Sequence, residues 1–337
     1  MAELKCVYGE DKDQGLVLIF LHGLGGDLYE TWMSNPDDDN TLWLRWVAED
    51  CDCMTWTLGY DASLSAWKDN AMPLPDQGDS VLDCLVSEPK LKNRPLLLIG
   101  HSLGGLVIKT AMISGLTKGV ERYQKLIECV HGVVFIATPH NGSQLASLAE
   151  VVKYVLRTNE QVSDLTQHNT HLRSLHQQFL ARYNQSPFPV RTFSERKPVS
   201  LSKGFFGKQL SVTVVDPNSA EPHVPNEIAI PLSEDHLSIC KPKDRDAQIH
   251  KSLIAFIREV KSLIAVRQTE TNISKSEPYS KSKTTQIVKS MESNLDLMQQ
   301  KLNFLEKELI LATEANVKFK LKNEIAELQQ EIERKKQ

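Results

Sequence analysis

The chain reads Leu96-Leu97-Leu98-Ile99-Gly100-His101-Ser102-Leu103-Gly104-Gly105-Leu106-Val107-Ile108-Lys109 across the segment that decides its fold. An apolar run that suits a buried strand leads into a G-x-S-x-G turn, and an apolar helical pattern follows at once. In such an elbow the serine occupies a sharp strand-to-helix turn, and Gly100 and Gly104 let the two backbones pass without side-chain collision. The pattern predicts Ser102 as a nucleophile; a structural turn without catalytic use is the alternative.

Further apolar runs alternate with helical patterns on both sides of this elbow. The strand candidates are 15–21, 53–58, 95–100, 132–137, 190–194 and 210–215, with 228–230 as a short seventh. Nearly continuous apolar strands separated by helices are typical of a parallel sheet that is buried on both faces. We therefore predict an α/β fold, a mostly parallel sheet flanked by helices, with its ligand site at the carboxyl ends of the strands.

The composition divides the 337 residues into a domain and an appendage. We predict a domain over 1–267, whose long connection 143–189 carries two helical patterns and forms a cap; ordinary core helices are the alternative. The segment 268–285 is rich in Ser, Thr and Lys and contains a proline, which predicts a linker. The segment 286–337 is predicted to be a helical coiled-coil tail.

The tail carries two apolar seams at heptad spacing. The first is Leu295, Met298, Leu302, Leu305 and Leu309, and the second is Leu321, Ile325, Leu328 and Ile332. The seams are out of phase, so the tail is either one long helix with a stutter or an antiparallel helical hairpin. Both arrangements expose an apolar stripe. We therefore expect a homo-oligomer, or a helical protein partner, through 286–337.

Charge and hydropathy exclude several classes of protein. With 39 Lys and Arg against 43 Asp and Glu, the net charge of −4 is unlike that of a nucleic-acid-binding protein. No apolar run approaches the ~20 residues of a transmembrane helix, and the first residues lack the pattern of a signal peptide. The six cysteines do not form a disulfide framework. We expect a cytoplasmic protein, with peripheral membrane contact left open.

A glycine-rich turn follows the first apolar run and reads His22-Gly23-Leu24-Gly25-Gly26. It predicts that the backbone N–H of Leu24 joins that of Leu103 in an oxyanion hole, with His22 bracing the loop; a simple glycine turn is the alternative. The turn lacks the G-x-G-x-x-G spacing of dinucleotide sites, and Asp37-Asp38-Asp39 lacks metal-ligand geometry. We expect neither cofactor nor metal.

The general base is expected late in the chain. His236 lies after a short strand and before the last amphipathic helix, which makes it the favoured base over His223 and His250. The orienting carboxylate is either Glu195 or Asp216, each of which follows a predicted strand. The position along the sheet mildly favours Glu195.

Two stretches are more specific than the elbow alone, T-P-H-x-G-S at 138–143 and D-H-x-x-I-C-K-P at 235–242. With 18–32, 59–62 and the elbow, they resemble the lipase-like α/β-hydrolases, in particular the serine-active-site-containing (SERAC-type) and GPI-inositol-deacylase-like branch. The resemblance covers about 15–265. It implies an acyl-ester hydrolase or acyltransferase, often acting on lipids, and its F-x-E stretch, Phe193-Ser194-Glu195, supports Glu195 as the acid.

These observations predict a serine hydrolase that cleaves carboxylic esters, such as lipid acyl esters, through a Ser-His-acid triad and an acyl-enzyme. Two alternatives remain. An acyltransferase would use the same residues, and a non-catalytic scaffold or effector module would be assembled by the helical tail.

Overall fold

The computed structural model describes residues 2–9, 15–62, 74–140, 168–203 and 209–276, together with residues 151, 325 and 329. The chain divides into two compact units, Met1–Val266 and Arg267–Gln337.

A seven-stranded sheet forms the centre of the first unit. The strands of the described chain are β1 (Glu3–Tyr8), β2 (Val17–Leu21), β3 (Met54–Gly59), β4 (Leu96–His101), β5 (Val130–Ile136), β6 (Val190–Glu195), β7 (Val199–Lys203), β8 (Gln209–Val212) and β9 (Ile230–Leu232). The sheet has the order β1-β3-β2-β4-β5-β6-β9, in which β1 is antiparallel to β3 and every other neighbouring pair is parallel. The predicted mostly parallel sheet is confirmed.

Helices cover both faces of this sheet. They are α1 (Trp43–Cys51), α2 (Leu74–Ser87), α3 (Leu103–Thr117), α4 (Glu121–Glu128), α5 (His168–Gln185), α6 (Pro217–Ala220) and α7 (Gln248–Ser276). Because successive side chains of a strand point to opposite faces, Val17 and Ile19 of β2 pack on the side of α2 to α5, whereas Leu18 and Phe20 pack on the side of α1 and α7. Two apolar layers therefore enclose the sheet.

The structure differs from two predictions in this region. The predicted strand 210–215 ends at Val212 and does not enter the main sheet, since β8 pairs with β7 as a separate antiparallel hairpin. Residues 168–185 of the predicted cap are α5, a crossover helix between β5 and β6. Its Leu172 and Phe179 lie in the core, with the Phe179 ring 5.7 Å from that of Phe135 in β5. This part of the segment packs as a core helix, and 143–150 and 152–167 lie outside the described residues.

The last described helix extends into the segment 268–285 that was predicted as a linker. Helix α7 continues through residues 268–276 and ends two residues before Pro278, a residue type that disfavours helix immediately before it. Residues 277–285 lie outside the described chain, as does the tail 286–337 apart from residues 325 and 329. Of the helices that the structure describes, none combines the length and the apolar character needed to cross a membrane.

Candidate active site

Ser102 sits alone in the turn between β4, which ends at His101, and α3, which begins at Leu103. Its backbone has φ 53° and ψ −119°, a conformation that a residue with a side chain adopts only under strain. The turn is anchored by the Ser102 N–H, which donates to the Ile136 carbonyl at 2.8 Å. Strain held in place by the fold is typical of functional turns, and here it fixes the direction of the Ser102 side chain.

Two glycines make this turn sterically feasible. A Cβ on Gly100 would lie 2.5 Å from the backbone nitrogen of Gly105, and a Cβ on Gly104 would lie 2.4 Å from the carbonyl oxygen of Leu21. Both obstacles are backbone atoms, which have no room to move. The elbow spacing read from the sequence therefore reflects the close approach of α3 to β4 and β2.

The structure brings Ser102, His236 and Glu195 together in one hydrogen-bonded chain. The Oγ of Ser102 lies 2.8 Å from Nε2 of His236, and Nδ1 of His236 lies 2.5 Å from Oε2 of Glu195. A carboxylate only accepts, so Nδ1 carries the proton and Nε2 presents its lone pair to the serine hydroxyl. All three side chains are buried, with relative exposures of 0%, 1% and 1%.

The same geometry separates the two candidate acids. Glu195 is the last residue of β6, and its Oε1 accepts the backbone N–H groups of Val214 and Val215 at 2.9 and 3.0 Å. Asp216 instead caps α6, where its side chain accepts the N–H groups of Asn218 and Ser219. The structure therefore places Glu195 beside His236 and Asp216 at a helix N-terminus.

The competing histidines lie elsewhere. His250 makes edge-on contacts with the rings of Trp43 and Trp46, and its Nε2 lies 2.8 Å from a carboxylate oxygen of Asp50. His223 is exposed, in a loop, with its ring 5.7 Å from that of His176. Neither side chain reaches Ser102.

The glycine turn after β2 packs directly against the elbow. A Cβ on Gly23 would lie 2.9 Å from Cβ of Ser102, which shows how near the loop comes to the serine. Among the described residues, the N–H groups of Leu24 and Leu103 have no acceptor, whereas Gly25 N–H donates to Ala62 and Gly105 N–H to Ser102. Two unused donors beside the serine are what an oxyanion hole requires.

Comparisons with known proteins agree with this architecture. A family profile described as PGAP1-like alpha/beta domain matches residues 48–182. Protein SERAC1 of Homo sapiens is 29% identical over 261 residues, covering 72% of this chain and 38% of that protein. Protein SERAC1 of Mus musculus is 30% identical over 263 residues, with the same coverage. Together with the sheet order, these similarities support an α/β-hydrolase fold of the SERAC and PGAP1 type.

The chain spans 38% of the length of the SERAC1 relatives that it matches. Among solved structures, the lipase BlEst2 of Bacillus licheniformis in its propeptide form aligns at 18% identity and a TM-score of 0.48, over 75% of this chain and 53% of that one.

His22 braces the glycine turn together with Tyr60, which packs against it. The Tyr60 hydroxyl donates to the His22 carbonyl at 2.8 Å, and the two rings stack with centroids 4.7 Å apart. The Tyr60 N–H lies 3.4 Å from Nε2 of His22, and Nδ1 of His22 lies 2.9 Å from the Gly23 carbonyl. Burial lowers the pKa of His22 and raises that of Tyr60 well above its ordinary value, so both rings stay uncharged.

The sequence did not reveal the two groups that hold the acid. Val214 and Val215 contribute backbone amides, so no side-chain pattern marks them. Their only trace in the sequence is the apolar run 210–215, whose last residues leave the strand and turn toward Glu195.

Proposed function

We propose that this α/β-hydrolase is a serine hydrolase of carboxylic esters, with lipid acyl esters as the substrate class. The observation that carries the proposal is the buried hydrogen-bonded chain from Ser102 through His236 to Glu195, with the serine in a strained turn. The lipid preference draws on the lipase-like motifs and on the PGAP1-like and SERAC1 similarities.

In the first half of the reaction, Oγ of Ser102 attacks the ester carbonyl carbon and its proton moves to Nε2 of His236. The resulting imidazolium is stabilised by Glu195. The carbonyl oxygen takes up negative charge and is held by the N–H groups of Leu24 and Leu103. As the tetrahedral species collapses, the C–O bond to the leaving alcohol breaks, and that alcohol takes the proton from His236.

In the second half, water attacks the acyl-enzyme carbonyl and gives a proton to Nε2 of His236. The bond to Ser102 Oγ then breaks, the serine recovers its proton from His236, and the carboxylic acid leaves. By comparison with other enzymes, losing one oxyanion donor costs on the order of 3–4 kcal/mol in the activation free energy.

The test is labelling of the full chain with a fluorophosphonate probe, with the labelled residue located by mass spectrometry. We expect the label on Ser102 and no label on Ser102→Ala, whose turnover of p-nitrophenyl esters should fall on the order of 10⁶-fold. Ser114→Ala is the matched control, because Ser114 is a second buried serine, in the helix α3 that follows Ser102. Equal labelling of wild type and Ser102→Ala would contradict the proposal.

Acyl transfer uses the same residues and differs in the group that attacks the acyl-enzyme. Product analysis with and without an acceptor alcohol separates the two reactions. We expect the free acid as the main product in both samples. If the acyl chain goes to the acceptor alcohol more than to water, the proposed reaction is acyl transfer and not hydrolysis.

A further inference from the structure

The residue before the nucleophile makes a contact that the proposed reaction does not use directly. His101 ends β4 and is buried, with a relative exposure of 6%. Its Nε2 lies 2.9 Å from the backbone carbonyl oxygen of His236, and the two rings are 5.0 Å apart at a tilt of 42°. We propose that His101 is a positioning residue, which holds the main chain of His236 at a fixed distance from Ser102; the inference rests on the proposed function.

The contact fixes the tautomer of His101. A carbonyl oxygen only accepts, so Nε2 carries the proton and donates it, and Nδ1 of the neutral ring is left with its lone pair. Among the described residues, Nδ1 has no hydrogen-bond partner, and a Cβ on Gly23 would lie 3.0 Å from it. The ring therefore fills the space between the glycine turn on one side and the loop of His236 on the other.

The loop of His236 needs such a contact because the strand before it is short. Strand β9 has three residues and pairs with β6 through Phe193, Ser194 and Glu195. His236 follows four residues after β9 ends, so strand pairing does not fix its backbone. Other contacts of this loop hold its neighbours: the Glu234 carbonyl accepts the N–H groups of Arg196 and Lys197.

His101 is covalently joined to Ser102. Its hydrogen bond to the His236 carbonyl therefore connects the backbones of the nucleophile and of the base. The hydrogen bond from Nε2 of His101 to the His236 carbonyl links Ser102, through its neighbour His101, to the backbone of His236. The contact between Nε2 of His236 and Oγ of Ser102 links the same residues through their side chains. Movement of the His236 backbone would lengthen the contact on which proton transfer depends. A misplacement of about 1 Å in such a site costs on the order of 10²-fold in rate.

The charge of His101 suits this role. Burial, and next the neighbouring His236, hold the pKa of His101 well below its ordinary value, and His22 and Lys241 act in the same direction. A neutral ring at this position does not oppose the imidazolium that forms on His236 during the reaction. It also leaves His236 as the base that faces the serine.

Two substitutions separate positioning from simple packing. His101→Gln keeps an N–H donor close to the position of Nε2, whereas His101→Leu fills space without a donor. We expect His101→Leu to lower kcat roughly 10- to 100-fold with KM changed less than about threefold, and His101→Gln to recover most of the loss. His131→Leu is the matched control, because His131 also contacts a backbone carbonyl, that of Cys129, near the start of β5.

A second measurement does not need turnover. The proton on His236 Nδ1 lies in a short contact with Glu195, so we expect a far-downfield proton NMR resonance that reports the geometry of that pair. We expect this resonance in wild type, His101→Gln and His131→Leu, and its shift or loss in folded His101→Leu.

The outcomes distinguish the two proposals. If the wild-type protein neither turns over esters nor is labelled at Ser102, the proposed function is wrong. The resonance of the His236 Nδ1 proton then still tests whether His101 positions His236. Wild-type kcat and an unchanged resonance in His101→Leu overturn the inference. So does a folded His101→Gln that is as impaired as His101→Leu in both measurements.

Discussion

At the scale of the residue, Glu195 shows how a buried carboxylate is hydrogen-bonded and oriented. Its Oε1 accepts the backbone N–H groups of Val214 and Val215, and its Oε2 contacts Nδ1 of His236. Burying a charge is costly unless it is hydrogen-bonded and paired, and three donors meet that need here. They also fix which oxygen faces the imidazole, so the carboxylate selects the His236 tautomer that can act as a base.

This arrangement predicts the effect of Glu195→Gln. The amide oxygen would stay with the two backbone N–H groups, which turns the NH₂ group toward His236 and forces Nδ1 to accept. Nε2 would then carry the proton and lose its ability to take one from Ser102. In a serine protease the equivalent change lowers kcat about 10⁴-fold, and we expect a similar loss in ester turnover, measured by steady-state kinetics.

Asp216→Asn is the matched control for that experiment. The asparagine keeps an acceptor for the N–H groups of Asn218 and Ser219 at the start of α6, so we expect kcat to change less than about threefold. If Asp216→Asn loses activity while Glu195→Gln keeps it, the acid of the triad is Asp216. The sequence left this choice open because both residues follow apolar runs, and only the sheet order places the end of β6 beside the histidine loop.

At the scale of the element, a buried lysine joins three parts of the fold on one side of the sheet. Lys109 of α3 is fully buried, and its Nζ lies 2.6 Å from Nδ1 of His140 and 2.9 Å from Nδ1 of His176. His140 follows β5 and His176 belongs to α5. The amine also lies 5.3 and 5.0 Å from the ring centroids of Phe135 and Phe179. No described carboxylate forms an ion pair with Lys109.

Burial lowers the pKa of Lys109 well below its ordinary value of 10.5. The unfolded chain therefore binds this proton more tightly than the folded one, and the stability penalty grows as pH falls below 10.5 toward the folded-state pKa. Relative to Lys109→Met, wild type should gain up to about 1.4 kcal/mol of unfolding free energy per pH unit as pH rises from about 8 to 10. Denaturant unfolding at a series of pH values measures the difference.

Lys118→Met is the control for this prediction, because Lys118 caps the C-terminus of the same helix, is half-exposed, and pairs with Asp79. Its unfolding free energy should follow that of wild type without the additional slope. Parallel pH curves for wild type and Lys109→Met would mean that Lys109 keeps its proton in the folded protein.

The strands differ in how well they can be predicted from the sequence. Strands β2, β4 and β5 were predicted because buried central strands are almost wholly apolar. Strand β1 was missed, since an edge strand such as Glu3–Tyr8 is half-exposed and its pairing with β3 spans about 50 residues. The run 210–215 was predicted as one strand. Its end was wrong because the Val214 and Val215 amides bind Glu195 instead of a neighbouring strand.

At the scale of the whole molecule, the two parts of the sequence predict different things: the first unit predicts a folded domain, and the segment after it predicts a surface for association. Within Met1–Val266, glycines, a nucleophile elbow and short apolar runs specify turns and a layered core. The heptad spacing of apolar residues in 286–337 predicts instead a helical surface that would bind another helix. A stripe of leucines and isoleucines in water gains free energy, about 25 cal/mol for each Å² covered, by associating with another helix.

We therefore propose that 286–337 assembles the chain into a homo-oligomer. Light scattering coupled to size exclusion should give a multiple of the 38.0 kDa chain mass for the full chain and a monomer for a chain that ends at Ser276.

Because truncation removes more than the seam, the sharper variant is Leu302→Lys with Leu305→Lys, which places two charges in the first seam. Ser293→Lys with Gln300→Lys adds the same charge on the opposite side of the heptad and should stay oligomeric. Monomers for the full chain at all concentrations would show that the seams do not bind one another, and an oligomer that survives truncation at Ser276 would place the self-association outside the tail.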